Sequence, residues 1–249
     1  MTHHTHSGML ASDIAISYLE KRGAHAAGSM QRAQIKAIER VYLKRGFSME
    51  TGCGTSTILL SNISDRHLVF CADDRYDERS KDNSSIDFVR ASPALNTSRT
   101  EFIIGPTQKT LPTFNFTKKL DLALLDGPHA YPFPDLEYYF VYLHLKTGAI
   151  LIIDDVHIPT LSNLYRFLLD DDMFSLIERL ENTAFFRRTD APIFNPFGDG
   201  WEFQEFNKRR FQKHIALDER LIRLAPQWLS RSIPRRLRTA IRRQLARHS

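Results

Sequence analysis

Three groups of residues in this chain have types and spacings that chemistry can use. The first is Glu50-Thr51-Gly52-Cys53-Gly54-Thr55-Ser56-Thr57, which stands between an apolar run and a helical pattern. Glycines at such a turn let backbone N–H groups approach a ligand closely, and the N-terminus of the following helix favours negative charge. The second is Asp73, about twenty residues further on. A carboxylate at the end of the next strand can accept both hydroxyls of a ribose. Together these two features point to a ligand built on a nucleoside. The third group is Asp126, His129, Asp154 and Asp155. On the ends of adjacent parallel strands they would share one rim, where three carboxylates and an imidazole are costly to leave unpaired. A divalent cation would neutralise them, and hard oxygen donors suit Mg²⁺. A cation there lowers the pKa of a bound hydroxyl, and an imidazole that titrates near neutrality can take the proton. His157, just beyond the acid pair, is a weaker candidate as a fourth ligand or a substrate contact.

Each group also has a plainer reading. Tight turns use Gly-x-Gly in many settings. His129 fits a loop histidine bonded to backbone, Asp154-Asp155 fits a helix cap with an arginine partner, and Asp126 fits a cofactor contact without metal. What separates the readings is the set of elements that must hold these residues.

Those elements alternate. Residues 10–45 read as two helices, broken between Gly23 and Ser29 and stopped by Gly46. Strands are then expected at Phe47–Glu50, His67–Ala72, Glu101–Ile104, Leu120–Leu125 and Ala149–Ile153. Helices are expected at Thr55–Ser61, near Ser84–Ala91, at Pro134–Leu145 and at Thr160–Leu169. Two further strands, Thr183–Thr189 and Trp201–Phe206, would close the sheet in antiparallel fashion. Such alternation predicts an α/β fold, a doubly wound Rossmann-like sheet of about seven strands with helices on both faces. Ligands bind beyond the carboxyl ends of strands in such sheets, and every acid singled out above falls at such an end. Most of the aromatic side chains of Tyr138–Tyr142 are expected in the core, with Tyr131 and Phe133 near a substrate pocket.

The 249 residues are 42% hydrophobic and 25% charged, which excludes a disordered or collagenous chain and allows a full core. Two cysteines, Cys53 and Cys71, are read as thiols of a reducing compartment. With no apolar run long enough to span a bilayer and no secretory pattern at the start, a cytoplasmic location is expected. The three histidines among residues 3–6 read as a polar terminus, with metal binding as the alternative. The formal charge of +5 is uneven: seven arginines and no acid follow Pro226, leaving 27 basic against 29 acidic residues, net −2, before it. The excess charge therefore belongs to a tail and gives no reason to expect nucleic-acid binding by the body.

With its first eight residues quoted above, the glycine segment resembles the first motif of class I S-adenosylmethionine-dependent methyltransferases, which has the form acid-x-Gly-x-Gly. Asp73 matches that family's ribose-binding acid. Leu124-Leu125-Asp126-Gly127-Pro128-His129-Ala130-Tyr131 and Gly148–Val156 are similar to the ends of its fourth and fifth strands. The resemblance runs from roughly Gly46 to Arg188 and is nearest to small-molecule O-methyltransferases of the catechol and macrocin type. It implies cofactor contacts from Glu50, Gly52, Gly54, Thr55, Ser56, Asp73, Gln108 and Asp126, with Gln108 or a backbone group standing where relatives place an acid for the adenine amine. It implies metal ligation by Asp126, Asp154 and Asp155, and catalysis by His129 as base together with Asp155. The implied reaction is methyl transfer to an oxygen of a small molecule or sugar, assisted by Mg²⁺. The alternative is a nucleoside-cofactor-binding protein that acts as a non-catalytic partner subunit. A nicotinamide or nucleotide-sugar enzyme is disfavoured because Thr57 replaces the third glycine of the dinucleotide fingerprint.

Three regions follow: a helical segment at 1–45, the cofactor-binding domain at 46–207 and a basic helical extension at 208–249. In the extension Leu229, Ile233, Leu237, Ile241 and Leu245 recur at every fourth position, which predicts a helix from about Pro234 to Ala246. Docking on its own domain or on a second copy is one use of it. Peripheral contact with an anionic membrane surface is another. Nucleic acid is disfavoured, since only Trp228 is there to stack a base.

Overall fold

The structure, a computed structural model, describes residues 10–22, 30–43, 46–76, 84–194 and 200–212. The histidine-rich start and the predicted helix at Pro234–Ala246 lie outside the described residues. Helices α1 (Ala11–Arg22) and α2 (Arg32–Val41) come first. The alternating part follows as β1 (Phe47–Thr51), α3 (Thr55–Ile63), β2 (Arg66–Cys71), α4 (Ser85–Arg90), β3 (Thr100–Ile104), α5 (Thr107–Thr110) and β4 (Leu120–Leu125). It continues as α6 (Phe133–Val141), β5 (Leu145–Ile153), α7 (Pro159–Asp170), β6 (Phe174–Leu180) and β7 (Thr183–Arg188).

The seven strands form one sheet in the order β3-β2-β1-β4-β5-β7-β6. The first five pair in parallel, and β7 runs antiparallel to both β5 and β6. Strand order reverses between β1 and β4, which opens a crevice at their carboxyl ends.

Alternation along each central strand feeds two cores. Met49, Phe70, Ala123, Leu125, Leu151 and Ile153 face α6 and α7 and pack with Tyr138, Val141, Leu161 and Leu164. Leu122, Leu124, Ile150 and Ile152 face the opposite side and pack with Ile35, Ile38, Ile58 and Leu59. The N-terminal helices thus cover one face of the sheet, which accounts for the strong apolar stripe of α2 and for the absence of a polar face on β4.

The antiparallel end of the sheet is made differently from the sequence expectation. Its outer strand is β6, before β7, and not the segment Trp201–Phe206. Leu180 pairs with Thr183, so a two-residue turn at Glu181-Asn182 joins the strands, with Glu181 at φ 50. Trp201–Phe206 has the period of a strand on paper, but its backbone is satisfied locally. Gln204 N bonds Trp201 O, Lys208 N bonds Gln204 O, and a 3₁₀ turn at Trp201–Phe203 leads into a helix at 205–212. These residues belong to a second compact unit, 195–249, distinct from the unit at 1–194. Arg188, at the end of β7, is buried and donates to the carbonyls of Met173, Thr189 and Ala191. No helix among the described residues is long and apolar enough to cross a membrane.

Candidate active site

The glycine turn joins β1 to α3 at the centre of the crevice. Gly52 has φ +81, and a Cβ there would stand 2.3 Å from the carbonyl oxygen of Asp126. Only glycine lets the ends of β1 and β4 approach this closely. Gly54 is extended and caps α3, and its N–H donates to Thr57 Oγ1 at 3.0 Å. Thr57, in the place of a third glycine, therefore closes the turn from within.

Glu50 lies beneath this turn rather than in the crevice. It is 1% exposed and accepts from Ser56 Oγ at 2.7 Å, from Thr57 Oγ1 and from His67 Nε2 at 3.1 Å. The other nitrogen of His67 pairs with Ser48 Oγ at 2.9 Å, which in turn meets Ser64 Oγ at 2.7 Å. One carboxylate thus fixes the first turn of α3 against the sheet.

The crevice itself is a cleft of about 450 Å³, within the size range of ligand pockets. Gly52, Gly54, Thr55, Ser56, Gln108 and Asp126 line it, as do Cys53 and Cys71, both free thiols. At the end of β2 the structure separates the two acids. Asp73 forms a two-point pair with Arg75, at 2.7 and 2.6 Å, that holds its carboxyl below the usual range, and it does not line the cleft. Asp74 does line it, accepting from Ser84 Oγ and Ser85 N at 2.6 Å each. Asp74 was not singled out from sequence; its only signal was adjacency to Asp73.

At the other end of the cleft, the turns after β4 and β5 meet. His129 Nε2 stands 3.6 Å from Asp126 Oδ1 and 3.5 Å from Asp155 Oδ2. His157 Nδ1 is 3.6 Å from the other oxygen of Asp155. The neighbouring Asp126 carboxylate pushes the His129 pKa up, and the charges of Asp155 and Asp154 add to it. Loss of water pushes the Asp126 carboxyl up, with Asp154 and Asp155 adding repulsion and His129 opposing it. The backbone is tied down as well: Asp126 N donates to Thr51 Oγ1 at 3.0 Å, and Thr160 Oγ1 donates to the carbonyl of His129. Asp155 adopts φ 52, a left-handed conformation uncommon outside glycine but tolerated by Asp.

Asp126, His129 and Asp155 each offer a ligand atom within 4.8 Å of the others. Asp154 is not part of that cluster. Its carboxylate is buried and accepts from Thr183 Oγ1 at the start of β7. Of the four residues read from the sequence as one group, the structure therefore gathers three, and it turns the fourth into the sheet. Such an arrangement can orient an imidazole as a base, or offer two carboxylates and a nitrogen to a cation.

Residues 49–156 match the family model described as a methyltransferase domain. Among solved structures, an O-methyltransferase from Streptomyces achromogenes involved in tomaymycin synthesis, in complex with S-adenosylmethionine, has a TM-score of 0.53 and 14% identity, over 74% of this chain and 91% of that one. A methyltransferase from Podospora anserina bound to S-adenosylhomocysteine has a TM-score of 0.51 and 16% identity, over 75% of this chain and 91% of that one. An O-methyltransferase from Bacillus cereus in complex with S-adenosylhomocysteine has a TM-score of 0.50 and 14% identity, over 72% of this chain and 90% of that one. These likenesses establish a shared fold. No curated protein sequence matches the chain.

Proposed function

We propose, from the premise that residues 49–156 form a methyltransferase domain, that the protein transfers the methyl group of S-adenosylmethionine to an oxygen of a small-molecule acceptor. The observation that carries the oxygen acceptor and the base is the position of His129. Its Nε2 lies between the carboxylates of Asp126 and Asp155, and His129 itself lines the cleft that the glycine turn opens.

The residues present fit the cofactor. Its sulfonium supplies an electrophilic methyl group, its amino acid end carries both charges and its ribose carries two hydroxyls. The first turn of α3 presents backbone N–H groups that suit a carboxylate. Asp126 suits an ammonium, and Asp74, lining the cleft at the end of β2, suits the ribose in the role expected of Asp73. Gln108, exposed at the cleft edge, suits the adenine. Glu50 acts one layer behind, holding Ser56 and Thr57.

At the acceptor end, Asp126 and Asp155 orient the His129 ring and stabilise its charged form. The imidazole is then placed to take the acceptor's proton as the new oxygen–carbon bond forms. A divalent cation fits the same donor set, with Asp126 and Asp155 as its oxygen ligands and Mg²⁺ as the matching hard ion. Such an ion, when bound, acidifies the acceptor hydroxyl. Asp154 is committed here to Thr183 through one carboxylate oxygen.

The basic extension, which the structure describes only as far as residue 212, is read as a peripheral contact with an anionic surface or with a second copy of the chain. The seven arginines that follow Pro226 without an acid support that reading. The deciding experiment for the function is transfer of a labelled methyl group from S-adenosylmethionine into a fractionated metabolite extract, with release of S-adenosylhomocysteine. A purified chain that binds S-adenosylmethionine but labels nothing across all fractions would favour the partner-subunit reading instead.

A further inference from the structure

Beneath the cleft lies a carboxyl group that the reaction outlined above does not use. Glu137, on α6, is 2% exposed. Its Oε2 accepts from Thr51 Oγ1 at 2.7 Å, and the same hydroxyl oxygen accepts from Asp126 N at 3.0 Å. The hydroxyl of Thr107 lies near the carboxylate and favours its charged form, but neither Thr107 Oγ1 nor Glu137 Oε1 makes a hydrogen bond. Gly127 closes the arrangement, since a Cβ at that position would stand 2.0 Å from Glu137 Oε1.

These contacts belong to three separate turns. Thr51 ends β1 and precedes the glycine turn. Thr107 opens α5 after β3, beside Gln108. Asp126 and Gly127 follow β4. All three turns line the cleft. A buried acid at this place is costly, and an apolar side chain of the same volume in a core helix is often neutral or stabilising by comparison. Packing alone therefore gives no reason for a carboxyl here, whereas the need to fasten two polar turns to one point does.

We propose that Glu137 is a positioning residue for cofactor binding: through Thr51 it ties the turns after β1 and β4 together, with Thr107 of the turn after β3 beside it, and so sets the spacing of the groups that grip S-adenosylmethionine. This rests on the methyltransferase reading. Glu137 does not line the cleft; it acts through Thr51, which holds Asp126 N.

The test is calorimetric binding of S-adenosylmethionine and S-adenosylhomocysteine to the full chain, well below the melting temperature of each variant. Removing a group that holds binding residues from behind typically costs about 10–100-fold, and Glu137→Ala is expected to weaken both ligands by that factor. Glu137→Gln keeps an oxygen for Thr51 and is expected to bind within about threefold of wild type. Thr51→Val preserves shape, cuts the link to Asp126 and serves if Glu137→Ala fails to fold; its loss should match. In the double variant the losses should not add, because both changes cut one chain of bonds. A merely structural role would lower the melting temperature and leave the dissociation constants alone. Wild-type affinity in Glu137→Ala or Thr51→Val, or additive losses in the double variant, would overturn the proposal. Failure of the wild-type chain to bind either ligand would instead overturn the methyltransferase reading on which it stands.

Discussion

Replacing Glu50 by alanine tests whether a buried carboxylate organises the glycine turn. The side chain accepts three bonds, from Ser56 Oγ, Thr57 Oγ1 and His67 Nε2. Ser56 lines the cleft and can turn to water, and Thr57 Oγ1 keeps the N–H of Gly54. His67 is wholly buried, with its other nitrogen already committed to Ser48, so its Nε2 would be left with no partner. A stranded buried polar group costs about 1–3 kcal/mol, and each hydrogen bond lost to a carboxylate about 1.5–3 kcal/mol. Adding the partly recovered hydroxyls gives about 4 kcal/mol for Glu50→Ala. For a chain of this length that is about 8–16 °C in melting temperature. The assay is equilibrium urea unfolding, with the slope checked for constancy so that a midpoint shift reads as stability. A second variant sharpens it: Glu50→Leu combined with His67→Phe removes both partners and should cost less than Glu50→Ala alone. A loss under about 1 kcal/mol for Glu50→Ala, or a double variant worse than the single, would refute the reasoning.

The remaining expectations concern the site and the tail. Gly52→Ala should lose about 1–2 kcal/mol from its left-handed backbone alone, and more from the contact with the Asp126 carbonyl, and calorimetry should show no binding of S-adenosylmethionine. His129→Ala should lower turnover ~10²–10⁴-fold while leaving cofactor affinity within a few-fold; unchanged turnover would remove His129 as the base. Burial pushes the Glu137 carboxyl from 4.5 up to about 7. The folded state then keeps its proton while the unfolded state gives it up, so this group's contribution to stability falls as pH rises from 4.5 to about 7 and is flat above. Glu137→Gln should abolish that slope, and parallel melting-temperature profiles for variant and wild type across this window would count against it. Truncation after Pro226 should remove salt-sensitive co-sedimentation with anionic vesicles, and equal sedimentation of both forms would leave the tail as a packing element.

The parts legible in the sequence were those written as periodicity or as a glycine. Central strands β4 and β5 are buried on both faces and read as continuous apolar runs. β6 escaped notice because it is the outermost strand: Ser175, Leu176 and Arg179 carry no consistent inward face, and Glu178 pairs with Arg40 of α2. The site was legible to the level of the pair and not of the residue. Asp73 with Asp74, and Asp154 with Asp155, are neighbours of one type whose directions depend on local backbone rotation. Arg75 claims one of the first pair and Thr183 one of the second. Neither partner is signalled by spacing, because Thr183 arrives from another strand. Glu137 gave no signal either, since an acid within an aromatic helix reads as its solvent side.

The turn between β6 and β7 has a bearing on how the chain tolerates change. Hairpin tips at a protein surface usually accept extra residues with little penalty. Here Asn182 O receives the N–H of Val156, and Thr183, the next residue, holds Asp154. The tip is therefore wedged against the two residues that flank Asp155. Lengthening it by even one residue would release both flanks at once, and the left-handed backbone of Asp155 would lose what over-determines it. A hairpin remote in sequence from every candidate catalytic group is thus a poor place for a tag, a graft or a permuted terminus.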